Sequence, residues 1–211
     1  MTPPVVLSMA CPQCGGVLPG LQQDVVFRCP SCGRLQELVD VGFVERQGGI
    51  AAASARGTGR LFHLPMWALR VRAACVWEDP EREKQARLIP PVEWVYVTAF
   101  SLHGADYFGE PGRIFTERRV RLTRGEPAAL CGCVRGLEEA KGFVESHLLG
   151  IIDRRVDVTG LEMTCIIDET LLWGVPYFDE GDHVQDGIIG FRLPAVAVND
   201  LAALRASQEQ R

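Results

Sequence analysis

The sequence predicts an α+β protein. A small cysteine-stapled N-terminal module (1–44) is joined by a Gly/Ala-rich connector (45–59) to a β-rich domain with one main helix (60–211). Three observations carry that expectation. Four early cysteines fall into two C-x-x-C pairs, most later apolar stretches alternate with period two, and one stretch keeps a period of about 3.6 residues.

The first pair is Cys11-Pro12-Gln13-Cys14-Gly15-Gly16 and the second Cys29-Pro30-Ser31-Cys32-Gly33-Arg34, with fourteen residues between them. Each short loop turns both thiolates toward one centre, and the glycine after the second Cys permits the tight backbone required there. Two such loops together form a tetrahedral sulfur cage for an ion bound at about 2.3 Å. Gly16–Leu18 and Val25–Arg28 are expected to pair as a hairpin turning at Pro19-Gly20. Two disulfides fit a secreted mini-protein, and the opening MTPPVVLSMA, without Lys or Arg, does not read as an export signal. A redox motif needs one C-x-x-C near a βαβ unit, not two matched copies.

This stretch, over about residues 9–41, resembles the zinc-ribbon (rubredoxin-type knuckle) family, in which paired CPxCG loops hold one metal. The resemblance implies Cys11, Cys14, Cys29 and Cys32 as ligands of one structural Zn2+, with iron in the same cage as the alternative. It implies no reaction, since four sulfurs close the coordination sphere.

Beyond the connector, 61–77 alternates, with Trp67, Leu69, Val71, Ala73, Cys75 and Trp77 on one face and Arg70 and Arg72 on the other; Pro65 suggests an edge or a bend. Residues 79–87 are polar and read as a loop or short helix, and 92–100 as a central strand covered on both faces. The 113–124 stretch carries Arg113, Arg118, Arg119, Arg121 and Arg124. It reads as a strand with a solvated face, or as a patch for an anion or an acidic partner, because Arg offers a planar donor fork. The main helix is 135–153, with Leu137, Ala140, Val144, His147, Leu148 and Ile151 on one side. Strands follow at 161–167, 171–178 and 188–193, with a turn at 179–183, then a short helix capped by Asn199 or Asp200 and a frayed tail from Ser207.

Cys75, Cys131, Cys133 and Cys165 read as core thiols, with a second metal site or a Cys131–Cys133 redox pair as alternatives. His63, His103, His147 and His183 have no metal-ligand spacing. Asp179, Glu180, Asp182 and Asp186 miss the calcium-loop pattern and read as a solvated turn. No nucleophile elbow or phosphate-binding glycine loop occurs.

The 211 residues carry 22 Lys+Arg against 27 Asp+Glu, a net charge of −5, which disfavours a protein living on phosphate contacts. Residues 1–41 hold only Arg28 and Arg34 against Asp24, Glu37 and Asp40, with Phe27 the sole aromatic, so this module lacks the basic stripe of a nucleic-acid reader. No apolar run reaches the roughly 18–20 residues of a membrane span. The leading expectation is therefore a cytoplasmic, non-catalytic adaptor or assembly component that meets a protein partner or its own copies. A nucleic-acid regulator using the 113–124 arginines comes second, and an enzyme with an unrecognised C-terminal site third.

Overall fold

The computed structural model describes residues 9–102, 110–130, 132–198 and 201–202. Strand outweighs helix, 39% to 19%, and the larger sheet curls into a half-barrel, a sheet-dominated α+β arrangement. Among the described residues no helix is long and apolar enough to cross a membrane. His103, Cys131, the expected cap at Asn199 or Asp200 and the tail lie outside the described residues.

A small sheet, β1 (Val26–Arg28), β2 (Leu35–Val39) and β3 (Gly42–Arg46), forms the N-terminal lobe. The expected hairpin differs: β1 pairs with β2, while Val17 bridges back to Ala10. The chain then enters the large sheet directly. β4 (Gly48–Ile50) runs parallel to β7 (Leu161–Asp179), which pairs along its length with β5 (Arg60–Trp77). Residues 45–59, expected as a flexible connector, are instead pinned. Ala51 N–H donates to Gly174 O at 2.9 Å, Ala52 N–H to Thr123 O at 2.9 Å and Ser54 N–H to Gly187 O at 2.7 Å. The small residues that suggested flexibility are what let this segment lie against neighbouring backbone. A Cβ on Gly48 would stand 1.9 Å from Leu172 O.

β5 and β7 set the architecture. In β5, Trp67, Leu69 and Val71 face a core shared with β6 (Trp94–Thr98), α3 (Leu137–Lys141) and α4 (Val144–Asp153). Phe62, Leu64, Met66 and Ala68 face a second core with Phe100, Phe115 and Tyr177. The alternation is the expected one, but both faces are apolar because both are covered. The two strands expected at 161–167 and 171–178 form a single strand, with the register slipping where Val71 pairs Ile167 and Arg70 pairs Glu169. Asp168 is the extra residue, and a bulge there lets one strand continue through a local twist.

β6 is an edge strand, where a central one was expected. Its free edge is covered by α2 (Glu110–Glu117): Thr116 Oγ1 accepts from Tyr96 N–H at 2.8 Å, and Tyr96 Oη donates to Val120 O at 2.7 Å. That cover makes an edge strand read as central in sequence. Pro65 sits in the interior strand β5 where β6 ends: its carbonyl accepts from Ala99 N–H at 3.0 Å, and Ala99 O is satisfied by Val134 N–H at 2.8 Å. The missing proline N–H therefore leaves no ladder partner stranded.

Other elements differ in placement. The 113–124 strand is absent: Arg113–Glu117 belong to α2, and a turn with Arg119 at φ 51° and an irregular stretch follow. The main helix is broken at Gly142-Phe143 into α3 and α4, yet Leu137, Ala140, Val144, His147, Leu148 and Ile151 are all buried as expected. Glycine's low helix propensity makes this the point of failure. The 79–87 stretch becomes α1 (Pro80–Ala86), capped by Asp79, whose carboxylate accepts from Glu81 N–H at 2.9 Å. The return strand after the 180–182 turn is β8 (His183–Asp186), followed by β9 (Arg192–Pro194), and not 188–193.

The lobe is seated on the body. Val26 and Leu35 enter the same core as Trp67 and Leu148, and Val25 N–H donates to Cys133 O at 2.7 Å. Glu37, 3% exposed, accepts from Leu137 N–H at 2.8 Å and from Arg46, clamping β2 to β3 and to the start of α3.

Candidate metal centre

The two C-x-x-C loops fold alike. In the first, Cys11 N–H donates to Gly16 O at 2.7 Å and Gly15 N–H to Cys11 O at 2.8 Å. In the second, Cys29 N–H donates to Arg34 O at 2.9 Å and Gly33 N–H to Cys29 O at 2.8 Å. Gly15 and Gly33 lie at φ 73° and 75°, left-handed backbone that a Cβ disfavours, so the glycine after each pair does the work the spacing suggested. The first loop tips the Ala10–Val17 bridge, and the second joins β1 to β2. Behind them Leu18, Phe27, Leu38 and Phe43 form a small apolar floor, with the Phe27 and Phe43 rings edge to face at 5.9 Å.

This scaffold brings the four thiols together. Cys11 and Cys32 Sγ lie 3.7 Å apart, Cys14 and Cys29 Sγ 3.5 Å apart, and all four within 4.8 Å of one another. The edge of a tetrahedron with 2.3 Å metal–sulfur bonds is about 3.8 Å, whereas a disulfide holds its sulfurs at about 2.0 Å. The geometry fits a shared ion. Cys11 and Cys29 are buried and Cys14 and Cys32 face solvent, so the cage sits at the lobe's surface with two walls of protein.

The clustered thiols hold their protons unequally. Burial pushes the Cys29 thiol up, but N–H groups of Cys32 and Ser31 and the Cys14 and Cys32 thiols together bring it down to about 6. The Gly16 N–H draws Cys14 down, yet the bond shared with Cys29, then burial, Cys32 and Cys11, carry it up to about 12. Neighbouring thiolates oppose one another's ionisation, and a cation among them removes that opposition. Among the described residues no other group of three or more His, Cys, Asp or Glu side chains is placed to hold a metal.

The chain matches no family model, no curated protein and no solved structure.

The five arginines do not converge. Arg113 pairs with Glu117 at 3.2 Å, Arg119 donates to Pro90 O at 3.2 Å, Arg121 pairs with Glu93 at 2.5 Å and Arg124 donates to Gly48 O at 3.2 Å, while Arg118 is exposed. Two of them thus contact acids and two brace carbonyls, across different elements. The later thiols separate as well: Cys133 is fully buried, with its thiol pushed up by burial, whereas Cys165 is half-buried and Cys75 is exposed, not core. Cys75 emerges because the far half of the β5–β7 ribbon carries no β6 beside it.

His147 is buried, its Nδ1 2.8 Å from Phe143 O. In the acidic turn, Asp186 is buried and accepts N–H bonds from Ile188, Ile189 and Phe191, while Glu180 accepts from Thr58 N–H at 3.0 Å. These carboxylates serve separate backbone segments.

Sequence reasoning missed two features. One is Arg135, buried, donating to Thr98 O and stacking over Phe143 at 4.9 Å. The other is an apolar groove under the distal ribbon. Only the Pro90-Pro91 break hinted at the groove.

Proposed function

We propose that the four-cysteine lobe is a zinc ribbon holding one structural Zn2+, and that the chain acts as a non-catalytic adaptor or assembly component through protein–protein contacts. The closed cage carries this reading: sulfur separations of 3.5 and 3.7 Å suit a tetrahedral ion whose four positions are all taken by protein. Such a site lends folding free energy and offers no coordination position to water or substrate. The engagement of Arg113, Arg119, Arg121 and Arg124 in intramolecular contacts weighs against a phosphate-reading surface. The outer face of the distal ribbon, with Val76 65% and Ile166 52% exposed, supports a protein partner or a second copy. The free thiols suit a reducing, cytoplasmic setting.

Purification of the tagged chain from its native cell, with metal analysis of the recovered material, tests both halves. One zinc per chain and retention in a complex larger than the monomer are expected, with Cys14→Ser/Cys32→Ser losing the metal. Iron in the cage, a solvent molecule on the ion, or a lone monomer that keeps no partner would overturn the reading.

A further inference from the structure

Away from the four-cysteine cluster, the body carries a groove of about 710 Å³. It is lined by Val71, Cys75 and Trp77 of the distal β5–β7 ribbon, by Leu148 and Ile151 of α4, and by Pro91. The size falls in the range of about 300–1,000 Å³ typical of small-molecule sites, and the lining is mainly apolar.

The charged groups along its length are already matched. Arg87 pairs with Glu83 at 2.7 Å, Arg72 with Asp168 at 2.6 Å, and Glu93 with Arg70 and Arg121. At one end the picture changes. Ile89, Pro90, Val92 and Ile151 line both the groove and a recess of about 110 Å³, so the two adjoin. The recess adds Arg119, Arg154 and Arg155 against one acid, Glu117. Arg154 and Arg113 both contact its Oε1, at 2.6 and 3.2 Å. Arg119 spends one donor on Pro90 O, and Arg155 makes no side-chain bond to any described residue. The apolar trough thus adjoins a recess with two guanidinium groups that have donors to spare.

From this juxtaposition we infer a binding site for a soluble amphipathic anion of the long-chain carboxylate class. The alkyl chain lies over Val71, Cys75 and Trp77, and the headgroup meets Arg119 and Arg155. A guanidinium suits a carboxylate because two N–H donors match its two oxygens. The opposite charge order, a cationic amphiphile, would place its head against three arginines. The inference does not depend on the metal, and the two stand or fall separately.

Calorimetric titration of the metal-loaded full chain with dodecanoate, dodecanol and dodecyltrimethylammonium tests it. Saturable one-site binding of dodecanoate is expected, with dodecanol about tenfold or more weaker, the difference a charge-assisted pair makes, and the ammonium weaker still. Arg155→Glu and Arg119→Glu, both at exposed positions, bring dodecanoate to the level of dodecanol and leave dodecanol unchanged. Cys75→Trp, also exposed, fills the trough and weakens both ligands, with an unchanged circular-dichroism melt confirming the fold. Absence of saturable dodecanoate binding, equal affinity for the ammonium, or indifference to both arginine changes would overturn the inference. So would binding confined to anionic vesicles or to an acidic amphipathic peptide.

Discussion

At the scale of single residues, burial decides behaviour that side-chain identity leaves open. His63 is the clearest case: burial first, then the charge of Arg28, lowers it from the ordinary 6.5 to about 4. The folded protein therefore binds a proton at His63 less readily than the unfolded chain does. The stabilisation is complete above about pH 6.5, declines as the pH falls, and is gone below about pH 4. Urea unfolding across that window should show wild type losing stability relative to His63→Gln, which carries no such proton; parallel pH profiles would contradict the assignment. The same distinction separates the thiols. Cys133 and Cys75 are equal as letters, yet one is sealed in the core and the other opens on a groove.

At the scale of elements, close backbone approach governs what the sequence presents as looseness. Gly48 stands where the parallel strand β4 meets β7, with φ 155° and no space for a methyl against Leu172 O. Neither strand can yield, because β7 is also laddered to β5 along most of its length. Gly48→Ala is expected to destabilise the fold by about 2–4 kcal/mol. Chemical denaturation measures this directly; a loss below about 0.5 kcal/mol, the range of ordinary surface changes, would show that the segment is not fixed as described. The helix broken at Gly142 carries the complementary lesson. Its apolar period survives the break, so pattern alone read one helix where geometry has two.

At the scale of the whole molecule, the four-cysteine lobe and the body share a core. The lobe has too little apolar surface to fold alone, and it contributes Val26 and Leu35 to the cluster around Trp67. Glu37 ties the same sheet to α3 through Leu137 N–H. Removing the proposed metal should therefore lower the thermal midpoint of the entire chain in one transition, followed by tryptophan fluorescence from the body and by circular dichroism. Two separated transitions, with the body melting unchanged after chelation, would show the lobe to be energetically independent. The shift should reverse on adding zinc back, since binding to the folded state alone stabilises by mass action.

The sequence by itself determined the four-cysteine cluster and much of the apolar alternation that fills the core. Both are short-range matters: two residues between cysteines and a glycine after them set the loop, and side chains alternate along a strand by covalent geometry. Thus Trp67, Leu69 and Val71 were legible as one face, and Leu137 through Ile151 as another. What only the tertiary structure decided was partnership. Nothing local in Glu45–Gly59 told of β7, nothing in Val92–Phe100 told that α2 would cover an open edge, and nothing in Arg113–Arg124 separated a helix with a braced turn from a strand. Those outcomes depend on which distant surface is left to be buried, and the groove and the recess beside it exist only because segments far apart in the chain meet there.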